Sequence, residues 1–353
     1  MKKKLAFALS LVMLMSMALT ACGGGQQGGG QQGGGQQGGD NQQAGGSQQS
    51  GGQQGGTGSS GGGTLTFTTG GDQGTYYVFG TVLAGQISDK TGTTVNAVVG
   101  PGSKGNIENM DAGDAQMGLV QSDVMAYAYE GTNLFEAQGA ITGFSTVAAL
   151  YMEQVQIITL DLTIKTVADL KNKNVSVGEN GSGVYFNAID VLAAYDLTLD
   201  DIKPTYQSFG DSADALQDGK IDAAFIVAGA PTTAVTSLAA TRDVYVVELD
   251  DAHIEKLIAA SPYYSKNVIP ASAYNLDADA TTVAVIAVII ANDDCAEDDI
   301  YNVVSGIFDS IDTLGHDKKN ELSLEFAASI TAVPYHPGAA KYFGETGFTV
   351  PTK

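Results

Sequence analysis

The chain has 353 residues, with 39 acidic against 17 basic side chains and a formal net charge of −22. Such a surface excludes nucleic acid as a partner and docking on anionic lipid through charge. Any anionic ligand must be held by local donors against this field. Two cysteines exclude a disulfide framework and a cysteine-based metal site.

The chain opens on a leader. Lys2, Lys3 and Lys4 precede LAFALSLVMLMSMAL, an apolar run short for a membrane span. The run closes on LTAC, Leu19–Cys22, which resembles a bacterial lipobox. Residues 1–22 are therefore expected to be a lipoprotein signal peptide, with membrane attachment through lipid on Cys22; an uncleaved anchor is the alternative. Residues 23–63 are nearly all Gly, Gln and Ser, with almost nothing apolar to bury. They are expected to be a disordered tether with a reach on the order of 35 Å. A Gln-rich aggregating segment is the weaker reading, because Gly interrupts every run.

Thr64–Lys353 is long enough for two α/β domains. Leu65–Gly70 reads as a short strand entering a Gly-rich turn, and a helix begins near Thr75 with Phe79, Val82, Leu83, Gln86 and Ile87 at helical spacing. Val95–Gly100 and Met117–Gln121 repeat the unit. GPGSKGN and a short helix carrying Ile107 and Met110 follow the first of these strands, and QSD opens a helix after the second. Strands alternating with helices point to a parallel sheet, with ligand at the carboxyl ends of its strands.

Gly143–Leu162 breaks the rhythm. Two apolar runs without an intervening helix read as a crossover between domains. A second set of units follows, with strands at Val175–Gly178, Thr205–Phe209 and Ala223–Val227. A helix between the first two carries Val184, Ala188, Val191, Leu192 and Tyr195 on one stripe. Gly210 and Asp211 read as an N-cap, and Pro231 suits a first helical turn. Val244–Leu249 reads as a further strand. Val283–Ala291 reads as a return strand through a hinge. An amphipathic helix from Ile300 to Leu314 and a turn at Pro334–Gly338 close the chain.

Six segments stand in order: GGDQGTYYVFG, GSKGN, GDAQMGLVQSDVMAYAYEG, TVADLKNKNVSVGENGSGV, DGKIDAAFIVAGAP and HPGAAKYF. Together they resemble a tripartite ATP-independent periplasmic (TRAP) transporter solute receptor of the TAXI type, over essentially all of Thr64–Phe348. The resemblance implies a two-lobed α/β fold of the periplasmic-binding-protein type II class, each lobe a mostly parallel sheet flanked by helices. The lobes are expected at 64–155 plus 280–353 and at 156–279. It further implies a cleft for a small organic anion, delivery to a sodium-coupled TRAP membrane permease, a monomer, an extracytoplasmic location and no cofactor. Two departures stand out. Val184 replaces a threonine of the family's GSGT pattern, removing a hydroxyl donor. A related receptor family holds its carboxylate with arginine, yet Arg242, the sole arginine, lies in no matching motif.

The expected ligand contacts are Gly74, Thr75 and Tyr76 in the first turn; Gly102, Ser103 and Asn106 in the second; and Gln121 and Ser122 after the third strand. In the second lobe they are Ser182, Gly183, Val184, Gly229 and Pro231. Backbone N–H groups at helix starts suit a carboxylate. The bland alternatives are tight turns at the glycines and an N-cap at Ser122. Lys104 is a tempting counter-charge, but a loop lysine is more often solvated. His253 and His316 are expected on polar helix surfaces and His336 in a structural turn, with no metal ligation. No nucleophile elbow is present, and an enzyme is not expected. The acidic run Asp293–Asp299 reads as charge complementing a helix start. A sensory lipoprotein that signals occupancy to a membrane kinase would carry the same lobes and is the alternative to a transport receptor.

Overall fold

The computed structural model describes residues 63–353. The leader, Cys22 and the tether up to residue 62 lie outside the described residues. Among the described residues no helix is long and apolar enough to cross a membrane.

Three β–α units open the fold: β1 (Thr64–Thr68) and α1 (Thr75–Thr91), β2 (Thr94–Val98) and α2 (Ser103–Asp111), β3 (Met117–Gln121) and α3 (Ser122–Glu130). β1 pairs in parallel with β2 on one side and β3 on the other. The long β4 (Phe144–Thr159) then leads away to β5 (Asn174–Ser176), α4 (Gly183–Ala194), β6 (Lys203–Thr205), α5 (Phe209–Gln217), β7 (Ala223–Ala228) and α6 (Thr233–Ala239). Here β5 pairs in parallel with β6 and β7, so the order of the first half is repeated. β8 (Tyr245–Val246), α7 (Asp251–Ala260) and β9 (Ser265–Ile269) precede the return strand β10 (Ala280–Asn292). The chain ends in α8 (Glu297–Phe308), α9 (Leu324–Ala327) and α10 (Pro337–Glu345).

The path across the sheet is β2-β1-β3-β10-β4-β7-β5-β6. β10 runs antiparallel beside β3, and β4 antiparallel beside β7. These two strands also pair with each other, with register shifts at Ala287/Val288 and Ile289/Ile290. Each therefore serves both halves: Gln154–Thr159 of β4 border β7, while Phe144–Gln154 border β10. This is the two-lobed α/β architecture expected from the family resemblance, with β4 and β10 as the strands that join the lobes.

One apolar core gathers Phe67, Phe79, Leu119, Ile289 and Phe343 in the first lobe. Two others pack on opposite faces of the second lobe's strands, around Val175, Val191 and Phe225 on one side and Ile226, Val235 and Leu238 on the other. Strands covered on both faces need continuous apolar runs, which is what β4, β7 and β10 supply.

Several local expectations are corrected. Gly143–Leu162 holds one sixteen-residue strand, not two runs. The strand expected at Thr205–Phe209 lies at Lys203–Thr205, because Ser208 caps α5 by accepting from the Asp211 N–H, and Phe209 is already helical. The strand expected at Val244–Leu249 shrinks to Tyr245–Val246. α8 ends at Phe308, so Ile311 and Leu314 belong to a separate short turn. The turn at Pro334–Gly338 is the start of α10, capped by His336, whose ring accepts from the Gly338 N–H. His316 does not lie on a helix surface; its ring packs against Phe79 at 4.9 Å.

Candidate functional site

The turns after β1, β2, β5 and β6 each feed the start of a helix, and the starts of α1, α2, α4 and α5 converge on one cavity between the lobes. The cavity measures about 60 Å³. Gly74–Tyr76 and Gly102–Ser103 line it from the first lobe; Ser182–Val184 and Ser208–Gly210 line it from the second. The first N–H groups of a helix have no partner within it, so four sets of donors face one small volume. Val184, Phe209, Val227 and Ala228 add an apolar wall.

The lobes are in contact across this cavity. The Gly105 N–H donates to Gly181 O at 3.0 Å, and the Thr75 hydroxyl donates to Gly229 O at 2.9 Å. Two glycines are required by the approach. Gly102 has φ +96°, and a Cβ there would meet Ser182 Cα at 3.2 Å. A Cβ on Gly183 would stand 1.7 Å from Gln121 Oε1 and 2.8 Å from Ser103 Oγ.

Of the thirteen expected ligand contacts, nine line the cavity: Gly74, Thr75, Tyr76, Gly102, Ser103, Gln121, Ser182, Gly183 and Val184. Their roles differ. The Ser103 hydroxyl accepts from the Gln121 N–H at 3.1 Å and lies beside the Tyr76 hydroxyl. The Ser182 hydroxyl is donated to Glu179 O at 2.7 Å, so it is not a free donor. The Thr75 hydroxyl is likewise committed, which leaves its N–H. Gln121 Oε1 is buried without a partner among the described residues.

The structure does not bring the other four to the cavity. The Asn106 side-chain amide donates to Thr69 O and Leu119 O and accepts from the Thr68 hydroxyl, tying β1, α2 and β3 together. The Ser122 hydroxyl accepts from the Ile286 N–H of β10; it is the first helical residue of α3, not the cap. Gly229 offers only its carbonyl to Thr75 and packs against Lys318 and Tyr151. Pro231 faces a separate groove beside Leu314–Glu321. Lys104 pairs with Glu108 and lies outside the lining.

One lining residue was not anticipated. Glu153 stands on β4, 2% exposed, at the junction of the lobes. The Tyr76 hydroxyl donates to its Oε2 at 2.6 Å, and its Oε1 has no hydrogen bond among the described residues. Burial pushes its carboxyl up to about 8, against the lowering effect of the Tyr76 bond. The same burial, with Glu153 alongside, drives the Tyr76 phenol well above its usual range. The only signal in the sequence is a carboxylate inside YMEQVQIITL, a run otherwise fit for a buried strand. Behind it, buried Lys318 pairs with Glu321 and donates to Ala230 O at 3.0 Å, fastening the C-terminal segment to the end of β7. No lysine, arginine or histidine lines the cavity, whereas Asp72, Glu153 and Glu179 do.

The profile of the NMT1-like family matches residues 67–347. Among solved structures, the alkanesulfonate-binding protein SsuA of Xanthomonas axonopodis pv. citri, bound to MOPS, is similar at 16% identity. The match covers 80% of this chain and 83% of that one, with a TM-score of 0.47. MatC of Rhodopseudomonas palustris, with bound malate, is similar at 12% identity over 73% and 86% of the two chains, with a TM-score of 0.49. PhnD1 of Prochlorococcus marinus, in complex with methylphosphonate, is similar at 11% identity over 73% and 88%, with a TM-score of 0.48. At these identities the ligands of those proteins are theirs alone.

Proposed function

The chain belongs to the NMT1-like family, and from that premise we propose that it is an extracytoplasmic solute-binding receptor. In this reading it is a TRAP receptor of the TAXI type, lipid-anchored through Cys22. It captures a small carboxylate by closing the lobes 64–155 plus 280–353 and 156–279, and presents it to a sodium-coupled membrane permease. The observation that carries the proposal is the meeting of four helix N-termini, two from each lobe, on one cavity. Each such end carries about half a positive charge and unpaired N–H donors, so a carboxylate is held without an arginine.

The small volume suits a ligand of a few heavy atoms. Among amino acids, dicarboxylates and keto acids, the lining favours an amino acid. Glu153 Oε1 and Gln121 Oε1 are acceptors awaiting a donor, and a ligand ammonium supplies it. A dianion would bring its second charge to a lining that carries Asp72, Glu153 and Glu179 and no cationic side chain. The test is thermal unfolding with a panel of α-amino acids, dicarboxylates and keto acids, read beside X-ray scattering. A true ligand at a hundred times its Kd stabilises by about 2.7 kcal/mol and compacts the particle. If no member of the panel does either, the receptor reading fails. If only dicarboxylates do, the assignment to amino acids fails.

A further inference from the structure

A second set of polar groups joins the lobes away from the cavity. Asp123, in the first turn of α3, and Asn187, on α4, are both fully buried. The Asn187 amide donates one hydrogen to Asp123 Oδ2 at 2.9 Å and the other to the Tyr264 hydroxyl at 2.7 Å. The Tyr264 hydroxyl in turn donates to Asp190 Oδ2 at 2.9 Å. Every hydrogen on these groups is thus committed. Two oxygens remain buried without a partner among the described residues: Asp123 Oδ1 and Asn187 Oδ1.

The two orphans sit on two planar groups already joined at one edge. A single hydrogen on Asp123 Oδ1, given to Asn187 Oδ1, satisfies both and completes a paired acid–amide ring. An ionised Asp123 satisfies neither. We infer that Asp123 is a neutral carboxylic acid when the lobes are closed, that it donates its proton to Asn187 across the lobe boundary, and that closure therefore takes up a proton.

The surroundings agree. The groups facing Asp123 are Asp190 and Tyr264 of the second lobe, Tyr127 of its own helix, Tyr263 of the loop after α7, and Glu153 of β4. None is cationic. The Tyr127 hydroxyl is engaged with Ser261 at 2.9 Å, and the Phe186 ring lies 6.2 Å from that of Tyr127 and 6.1 Å from that of Phe135, so the neighbouring groups are aromatic. First-turn N–H groups of α3 favour the ionised form, but burial outweighs them and raises the Asp123 carboxyl to about 7.

The inference rests on the proposed two-lobed capture in one respect: opening must wet Asp123 and return it to the usual carboxylate range. The sign then follows. A carboxyl whose pKa is raised in the closed form holds its proton there between about pH 4 and about pH 7. The closed form therefore loses ground as pH rises through that window, by up to about tenfold per pH unit, and levels off above it. Asp190 and Glu153 shift in the same direction, so the test is a difference. Urea unfolding of the full chain is compared between wild type and Asp123→Asn from pH 4.5 to pH 8. The asparagine keeps both hydrogen bonds with Asn187 and cannot titrate. The variant is expected to gain on wild type by up to about tenfold per pH unit in the folding constant, levelling off near pH 7. It is also expected to lose an infrared band of a protonated carboxyl that wild type shows at pH 6. A flat ratio across pH, or a variant weaker by a constant factor with the band unchanged, overturns the inference. Scattering on the same samples separates the premise: lobes that never part under any condition defeat the capture reading, while the unfolding ratio still decides the protonation of Asp123.

Discussion

Replacing Gly183 with alanine separates lobe closure from folding. The added methyl would stand 1.7 Å from Gln121 Oε1 and 2.8 Å from Ser103 Oγ, both on the opposite lobe. Gln121 is 2% exposed and Ser103 likewise 2%, so neither has room to retreat except into the cavity. Overpacking of this kind costs about 1–3 kcal/mol. Because the clash exists only when the lobes meet, that cost falls on the closed form, and ligand affinity should drop by about 5- to 150-fold. Within the second lobe the change is benign. Gly183 opens α4 with ordinary negative φ, and alanine there raises intrinsic stability by up to about 1 kcal/mol through the unfolded chain. The signature is a weakened Kd by calorimetry, a larger radius by scattering in the presence of ligand, and an unfolding midpoint that does not fall. Affinity within twofold of wild type, with the same compaction, would refute the reasoning that these surfaces must touch for binding.

Two further outcomes follow from the site. Glu153→Gln should weaken an amino-acid ligand at least tenfold while leaving a monocarboxylate without an amine nearly unchanged, as titration calorimetry can measure. In wild type, binding of the ammonium requires ionised Glu153, so affinity rises as pH approaches and passes about 8; the variant should show no such rise. Asn106→Ala strands Thr69 O and Leu119 O in the interior and should cost about 1–3 kcal/mol in urea unfolding. Lost binding with unchanged stability would instead return Asn106 to the ligand contacts.

The structure explains which readings of the sequence hold and which do not. The β–α units at Thr64–Thr91 and Met117–Glu130 are local facts: a short apolar strand, small or polar residues after it, and a helical stripe lie within one stretch of chain. The boundary between β6 and α5 is less local. Tyr206 to Phe209 could extend a strand on pattern alone, and only the Ser208 cap decides against it. Ser103 and Ser182 looked equivalent as hydroxyls at helix starts. One accepts from the Gln121 N–H beside Tyr76, while the other has spent its hydrogen on Glu179 O. Nothing in the spacing of either motif distinguishes them. Asn106 closes the GPGSKGN segment that also supplies Gly102 and Ser103 as expected ligand contacts. It points instead into the sheet, where three partners separated by up to 38 positions claim it.

The sequence alone determined the α/β class, the two sets of strand–turn–helix units, and the turns that supply donors for an anion. Those features depend on periodicity and turn chemistry between near neighbours. Only the tertiary structure decided that four of the helix starts share one cavity, that Glu153 lies among them, and that Asp123 meets Asn187. Tyr76 and Glu153 are 77 positions apart, and Asp123 and Asn187 are 64. Their chemistry comes from burial at the boundary between lobes. That boundary exists because β4 and β10 carry the chain across the sheet and back, which sets the opening Gly-rich turn and its tyrosine against a carboxylate that no local pattern connects to it.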